Sequence, residues 1–222
     1  VGASWIDAYQ RRFFTSGEAL PTANVGPIWH DDYNSLMTWQ SFTANGASYT
    51  GYASQFVGRI EMDTQPTART GYKRVGSETL ALSRSQFAAL RAWGLHNGRF
   101  VAVGVWQAGT LLMADNADGV TFRAFDVRGE FPRFWDDGRG LDSGRNFGTQ
   151  QGDAIRNITG TFTSVDSPAV TGAFRVLPGV PSNSSEPGGS LSPRLELDAS
   201  ISVPTAAENR PRNTAFSAML KF

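Results

Sequence analysis

The segment from Asp126 to Ile158, DVRGEFPRFWDDGRGLDSGRNFGTQQGDAIRNI, gathers most of the side chains here that could do chemistry. Asp136, Asp137, Asp142 and Asp153 alternate with Arg133, Arg139, Arg145 and Arg156, and Glu130 precedes them. Two carboxylates held across a sugar bond are the machinery of glycoside hydrolysis, so Asp136 with Asp142 or Glu130 is a candidate acid pair. Nearly every acid has an arginine close by in sequence, however, and a neighbouring guanidinium holds a carboxyl ionised and unfit to donate a proton. Structural scaffolding is the better reading, in which Arg133, Asp136, Asp137, Arg139, Asp142, Arg145 and Asp153 satisfy one another and the turning backbone and stiffen the loop through charge-assisted bonds. Gly138, Gly140, Gly144 and Gly148 recur every two to four residues, so the backbone must turn repeatedly. Trp135 stands among these charges and is a candidate sugar-stacking group, with a buried anchor between subunits as the competing role.

Other chemistry is scarce. Cysteine is absent, and His30 and His96 are the only imidazoles, so a thiolate or zinc site is not expected and no cofactor is. Twenty basic residues balance twenty acidic ones, which argues against a nucleic-acid partner. Only Lys73 and Lys221 are lysines, and every other cation is the arginine favoured in buried and interfacial ion pairs. No apolar run is long enough to span a bilayer, and no signal-peptide pattern opens the chain. The start at Val1 reads as the C-terminal piece of something longer.

The elements that must position these groups read as mainly β, with few short helices and long loops. Ile28 to Phe42 suggests a short helix capped by Asp31 or Asp32, with Leu36, Trp39 and Phe42 on one face; Trp29, His30, Asp31 and Asp32 read equally as a ligand-contacting cluster. Tyr49 to Ile60 has strand character. Arg84 to Leu95 is the best helix: Ser83 with Gln86 fits a capping box, Phe87 and Leu90 are spaced helically, and Gly94 with Gly98 supplies the stop. Phe100–Trp106 and Thr110–Ala114 read as paired strands, DNADG at 115–119 as a turn, and Val120–Phe125 as a further strand. Trp93 and Trp106 lie in periodic apolar segments and belong to the core. Strands are expected at 158–165, 170–176 and 195–203. The tract PSNSSEPGGSLSP at 181–193 is read as surface loop or a disordered tip. The apolar Thr214–Phe222 should be tied into a sheet.

GVTFRAFDVRGEF, then WDDGRGLDSGR and QGDAIRNITG, then a loop-rich interval and ENRPRN before a terminal strand resembles the C-terminal region of bacteriophage tail fibres. It is most similar to the collar-like receptor-binding tips of Mu-like contractile-tailed phages and to fibres of phage-tail-like bacteriocins. The matching frame covers about 120–158 and 208–222. The resemblance implies an intertwined homotrimer at the distal end of a virion's fibre. Such a tip binds a host surface polysaccharide, commonly lipopolysaccharide, without cleaving it, and a fibre assembly chaperone is a further implied partner. The axial His-x-His metal pair of some related tips is missing here.

On that frame, 1–28 is the end of a fibre shaft, 29–119 a proximal β-rich domain holding the 84–95 helix, and 120–222 the distal receptor-binding domain. Arg210-Pro211-Arg212-Asn213 is read as a structural lock between chains. The polar, turn-rich interval 163–200 is the expected ligand site, with Phe174 and Arg175 as an exposed aromatic–cation pair and Asn183, Ser184, Ser185 and Glu186 as hydrogen-bonding groups. A depolymerase and a purely structural fibre segment are the two rival functions.

Overall fold

Alternating apolar residues between tight turns give this chain short strands, and the computed structural model is accordingly mainly β, with several small sheets and one α-helix among the described residues. It describes residues 12–44, 47–154, 171–176, 195–205, 209 and 213–222. The strand expected at 158–165, the tract 181–193 with Asn183, Ser184, Ser185 and Glu186, and Arg210 to Arg212 lie outside these. Two compact units are present: Val1–Gln150 with Thr214–Phe222, and Gln151–Asn213. The polar loop through Gln150 therefore belongs with the first unit.

In the first unit, β1 (Phe13–Phe14), β2 (Ile28–His30), β3 (Ser35–Ala44) and β4 (Ala47–Ser54) form one sheet in that order. The helix expected within 28–42 is instead two strands joined by a single 3₁₀ turn, Asp31–Tyr33. Leu36, Trp39 and Phe42 fit a helical face by spacing, but Ser35–Ala44 finds a full antiparallel partner in β4, and that pairing overrides the local pattern. Period-two alternation then sends Met37 and Trp39 to one side and Phe42 to the other. Met37 packs with Ile28 and Tyr52 in a small cluster, whereas Phe42 joins the main core with Leu90, Met113, Phe122, Phe125 and Leu220. The sheet is thus covered on both faces.

The helix α1 spans Ala88–His96, starting four residues later than its sequence signals suggest. Ser83 does accept the Gln86 amide at 3.3 Å, but within the preceding turn, while Phe87 occupies the N-cap without a side-chain bond. Gly94 is inside the helix instead of ending it. A Cβ there would collide with Met113 Sδ and Phe100, so this glycine serves close packing against the following segment. The hairpin expected from Phe100 to Ala114 is also absent: 101–106 runs through turns, with one isolated bridge, Phe100 to Met113. Trp106 explains why, since its indole N–H donates to the Leu112 carbonyl at 2.9 Å, replacing strand pairing with a side-chain tie.

A second sheet, β7 (Leu82–Ser83), β9 (Thr121–Arg123) and β8 (Ala114–Asp115), is assembled around the DNADG turn. There Asp118 accepts the amides of Val120 and Thr121 at 2.9 and 2.8 Å. The third places β12 (Ser217–Lys221) between β5 (Ile60–Asp63) and β6 (Tyr72–Arg74), antiparallel to both. Met219, Leu220 and Lys221 are fully buried. The apolar end is tied into a sheet, and the sheet is its own chain's. Burial of Leu220 alone is worth about 2 kcal/mol by area.

Candidate functional site

Asp126 closes the entrance of the polar loop. Its carboxylate takes both the Nε and the NH2 group of Arg128, at 2.8 and 2.7 Å, and this fork holds its acid below the usual carboxylate range despite burial. The exit is fastened as firmly. The Leu111 amide donates to Gly148 O at 2.9 Å, Gln150 Nε2 donates to Glu130 Oε1 at 2.9 Å, and Arg99 lies 4.6 Å over the Phe147 ring. Between these clamps, residues 129–147 contain no helix or strand.

Inside the loop the acids divide the work. Asp142 is bridged by Arg133 at 3.1 Å and Arg145 at 3.3 Å, an Arg–Asp–Arg arrangement of the kind the composition suggested. Asp136 behaves otherwise. Its Oδ2 accepts the backbone N–H groups of Asp142 and Leu141 at 2.9 and 2.8 Å, and these bonds, the Asp142 amide foremost, hold its carboxyl below the ordinary range. Asp136 thus takes the second role expected of these acids and organises the turning backbone around Gly138 and Gly140, both at positive φ. Asp137 is itself left-handed at φ 45, and neither it nor Arg139 forms an ion pair with a described residue. Asp153, in the second unit, accepts the Asn209 backbone amide at 3.2 Å and its side-chain amide at 3.3 Å.

Replacing Asp136 by alanine should therefore open the loop locally without unfolding the unit. Amide exchange at Leu141 and Asp142 is expected to rise at least about tenfold while the melting transition stays in place. Unchanged exchange would show that those amides do not depend on Asp136.

Asp136, Asp142 and Arg145 are partly covered within the loop, while several of its apolar side chains face out. Phe134 is 98 % exposed, Leu141 63 % and Phe131 50 %. Trp135 is half-exposed; its indole N–H donates to Arg145 O at 3.2 Å, and its ring meets Phe147 edge-on at 5.6 Å. Nothing in the residue order foretells which of these side chains face out, because that depends on which carboxylate each amide finds.

The second unit contains one described hairpin, β10 (Phe174–Val176) against β11 (Leu195–Leu197). Phe174 and Arg175, adjacent in sequence, lie on opposite faces of it, because successive residues of a strand alternate. Arg175 pairs across the strands with Glu196, Nε to Oε2 at 2.6 Å, and reaches Asp198 at 3.5 Å. Phe174 stands opposite Leu197. The polar cluster is therefore Arg175, Glu196 and Asp198, of which only Arg175 was singled out. The signal for the others was the alternation in LELD at 195–198. All three groups are at least partly exposed, and the guanidinium is held more firmly protonated by Glu196.

Elsewhere the Trp29–Asp32 cluster is a structural corner. Trp29 Nε1 donates to Asp31 at 2.9 Å, while buried His30 accepts the Asp32 amide on Nδ1 and meets Glu18 O with Nε2. Among the described residues, no three His, Asp or Glu side chains converge as a metal site, and no helix is long and apolar enough to cross a membrane. No family model, no curated protein and no solved structure matches this chain.

Proposed function

We propose that this chain is the receptor-binding end of a phage tail fibre, a homotrimer that adheres to a host surface polysaccharide without cleaving it. The reading starts from the resemblance of 120–158 and 208–222 to such tips. The observation that supports ligand binding is the Arg175–Glu196–Asp198 cluster, an exposed row of planar hydrogen-bonding groups on a hairpin whose two strands are joined by the polar stretch 177–194. Planar charged side chains offering several donors and acceptors suit sugar hydroxyls.

The acids of the polar loop favour binding over hydrolysis. Asp136 is committed to backbone amides that keep it ionised, Asp142 to two arginines and Glu130 to Gln150, so none of these is placed as a general acid. A shallow sugar site is weak alone, and three copies per tip turn rebinding into an intramolecular event.

The test is adhesion of the fluorescently labelled chain to bacterial cells, with purified surface polysaccharide as competitor. Arg175→Ala, and separately a deletion shortening 181–193, should each weaken adhesion by at least about tenfold, given the loss of a charge-assisted contact from every copy. Unchanged adhesion in both variants would remove the hairpin as the site. Release of new reducing ends from the polysaccharide would replace the binding function with a depolymerase.

A further inference from the structure

We infer that the outward-facing ledge Phe131–Phe134–Leu141, continued by Trp135, is the surface through which copies of this chain associate. The inference rests on the homotrimer reading for its occupant. Four features of the molecule carry it.

The first is area. With about 200 Å² for a fully exposed large aromatic, Phe131, Phe134, Trp135, Leu141 and Phe147 of this one loop together expose roughly 600 Å². The largest apolar patch on a stand-alone protein is about 300–600 Å², and a specific interface uses about 800 Å² per partner. Phe134 has no polar atom on its side chain and is almost wholly uncovered, which no role within a single chain requires. The second is rigidity. Clamps at Asp126–Arg128 and at Gly148–Leu111, with Asp142 bridging two arginines between them, hold the ledge in shape before any partner arrives. Association then costs little ordering entropy.

The third is charge. The whole chain carries no net charge, so copies do not repel one another. Asp136 and Asp142 are occupied within the loop, which leaves Asp137 and Arg139, opposite in sign and without an ion-pair partner among the described residues. A surface bearing one free charge of each sign is complementary to a second copy of itself, Arg139 of one chain to Asp137 of the next. A strongly acidic or strongly basic partner would satisfy only one of the two. The fourth is the terminal strand. Ser217–Lys221 is the other apolar segment suited to joining chains, and it is already consumed between β5 and β6 of its own chain. Self-association then needs a different surface, and this loop carries Phe134, the most exposed of the large hydrophobic side chains described.

Sedimentation velocity across a range of protein concentrations tests this, on the full chain and on Phe134→Asp and Leu141→Asp. Both positions are exposed, so the substitutions should leave the circular dichroism and the melting transition of the dissociated chain unchanged. The parent chain should sediment as a trimer. Each variant should require at least about thirty times more protein to assemble, the change expected of a dominant interface residue. A double exchange, Asp137→Arg with Arg139→Asp, should restore assembly relative to either single exchange if those charges meet across chains. If the parent is a trimer and both Asp variants assemble at the same concentration, the ledge is not the contact, and the fibre reading stands. If the parent remains a monomer at every concentration, the homotrimer reading fails and takes this inference with it.

Discussion

Gly71→Ala is expected to lower the stability of the first unit by about 3–5 kcal/mol, the range of a non-glycine residue forced into a strained position with a simultaneous backbone clash. Gly71 has φ +81, and an added Cβ would overlap both the Tyr33 carbonyl oxygen and the Lys221 ammonium. Those two groups are bonded to each other, so the methyl group would enter the one junction where the 3₁₀ turn, the start of β6 and the end of β12 meet. The natural control is Gly119→Ala. That glycine has φ +75 with nothing within 4 Å of the added carbon, so only the left-handed strain of about 1 kcal/mol applies. Urea denaturation of both variants separates strain from collision. Equal losses would mean that the space beside Lys221 relaxes freely and the packing argument is wrong.

The same lysine predicts an unusual pH profile. Lys221 is fully buried, its Nζ donates to Tyr33 O and lies 4.4 Å over the Tyr72 ring, and burial pulls its pKa from 10.5 to about 8. Glu61 pulls the other way and Arg69 reinforces the depression, but neither outweighs desolvation. The sign follows from proton counts. Between about pH 8 and 10 the unfolded chain keeps a proton on this amine that the folded chain has released, so stability rises with pH across that window. The full gain is at most about 3 kcal/mol.

Tyr33, Tyr49 and Tyr72 act oppositely. Burial raises all three hydroxyls, Tyr49 to about 12, so above pH 10 the unfolded tyrosines ionise first and stability falls again. Chemical denaturation from pH 7 to 11 should show a maximum between these limits. Lys221→Met removes the titrating amine, and its profile should be flat from pH 7 to 9.5. A parent profile that is flat there as well would sink the account.

How much of this was legible beforehand depends on the range of the interaction involved. The β-rich character, the helix near residue 90, the DNADG turn and the polar glycine loop follow from residues within a few positions of one another. Propensity and turn chemistry act at that distance. The stretch 28–42 misled because its apolar spacing suits a helix as well as a strand, and only a partner strand three to seventeen residues away decided between them. Phe174 and Arg175 looked like one site until the strand put them on opposite faces.

The amino-acid order by itself therefore determined where this protein turns, that it holds no thiolate, and that its last segment must be covered. Only the tertiary structure decided what covers it, which carboxylate meets an arginine and which a backbone amide, why one of two lysines is buried, and that Phe134 faces outward. The carboxylate partners lie only three to nine positions away and were decided by how the loop turns. The cover of the last strand and the burial of Lys221 depend on groups from far along the chain, Lys221 and Tyr33 being 188 positions apart. Chain closure over such distances leaves no local trace in composition or periodicity, because its entropy depends only weakly on the length closed.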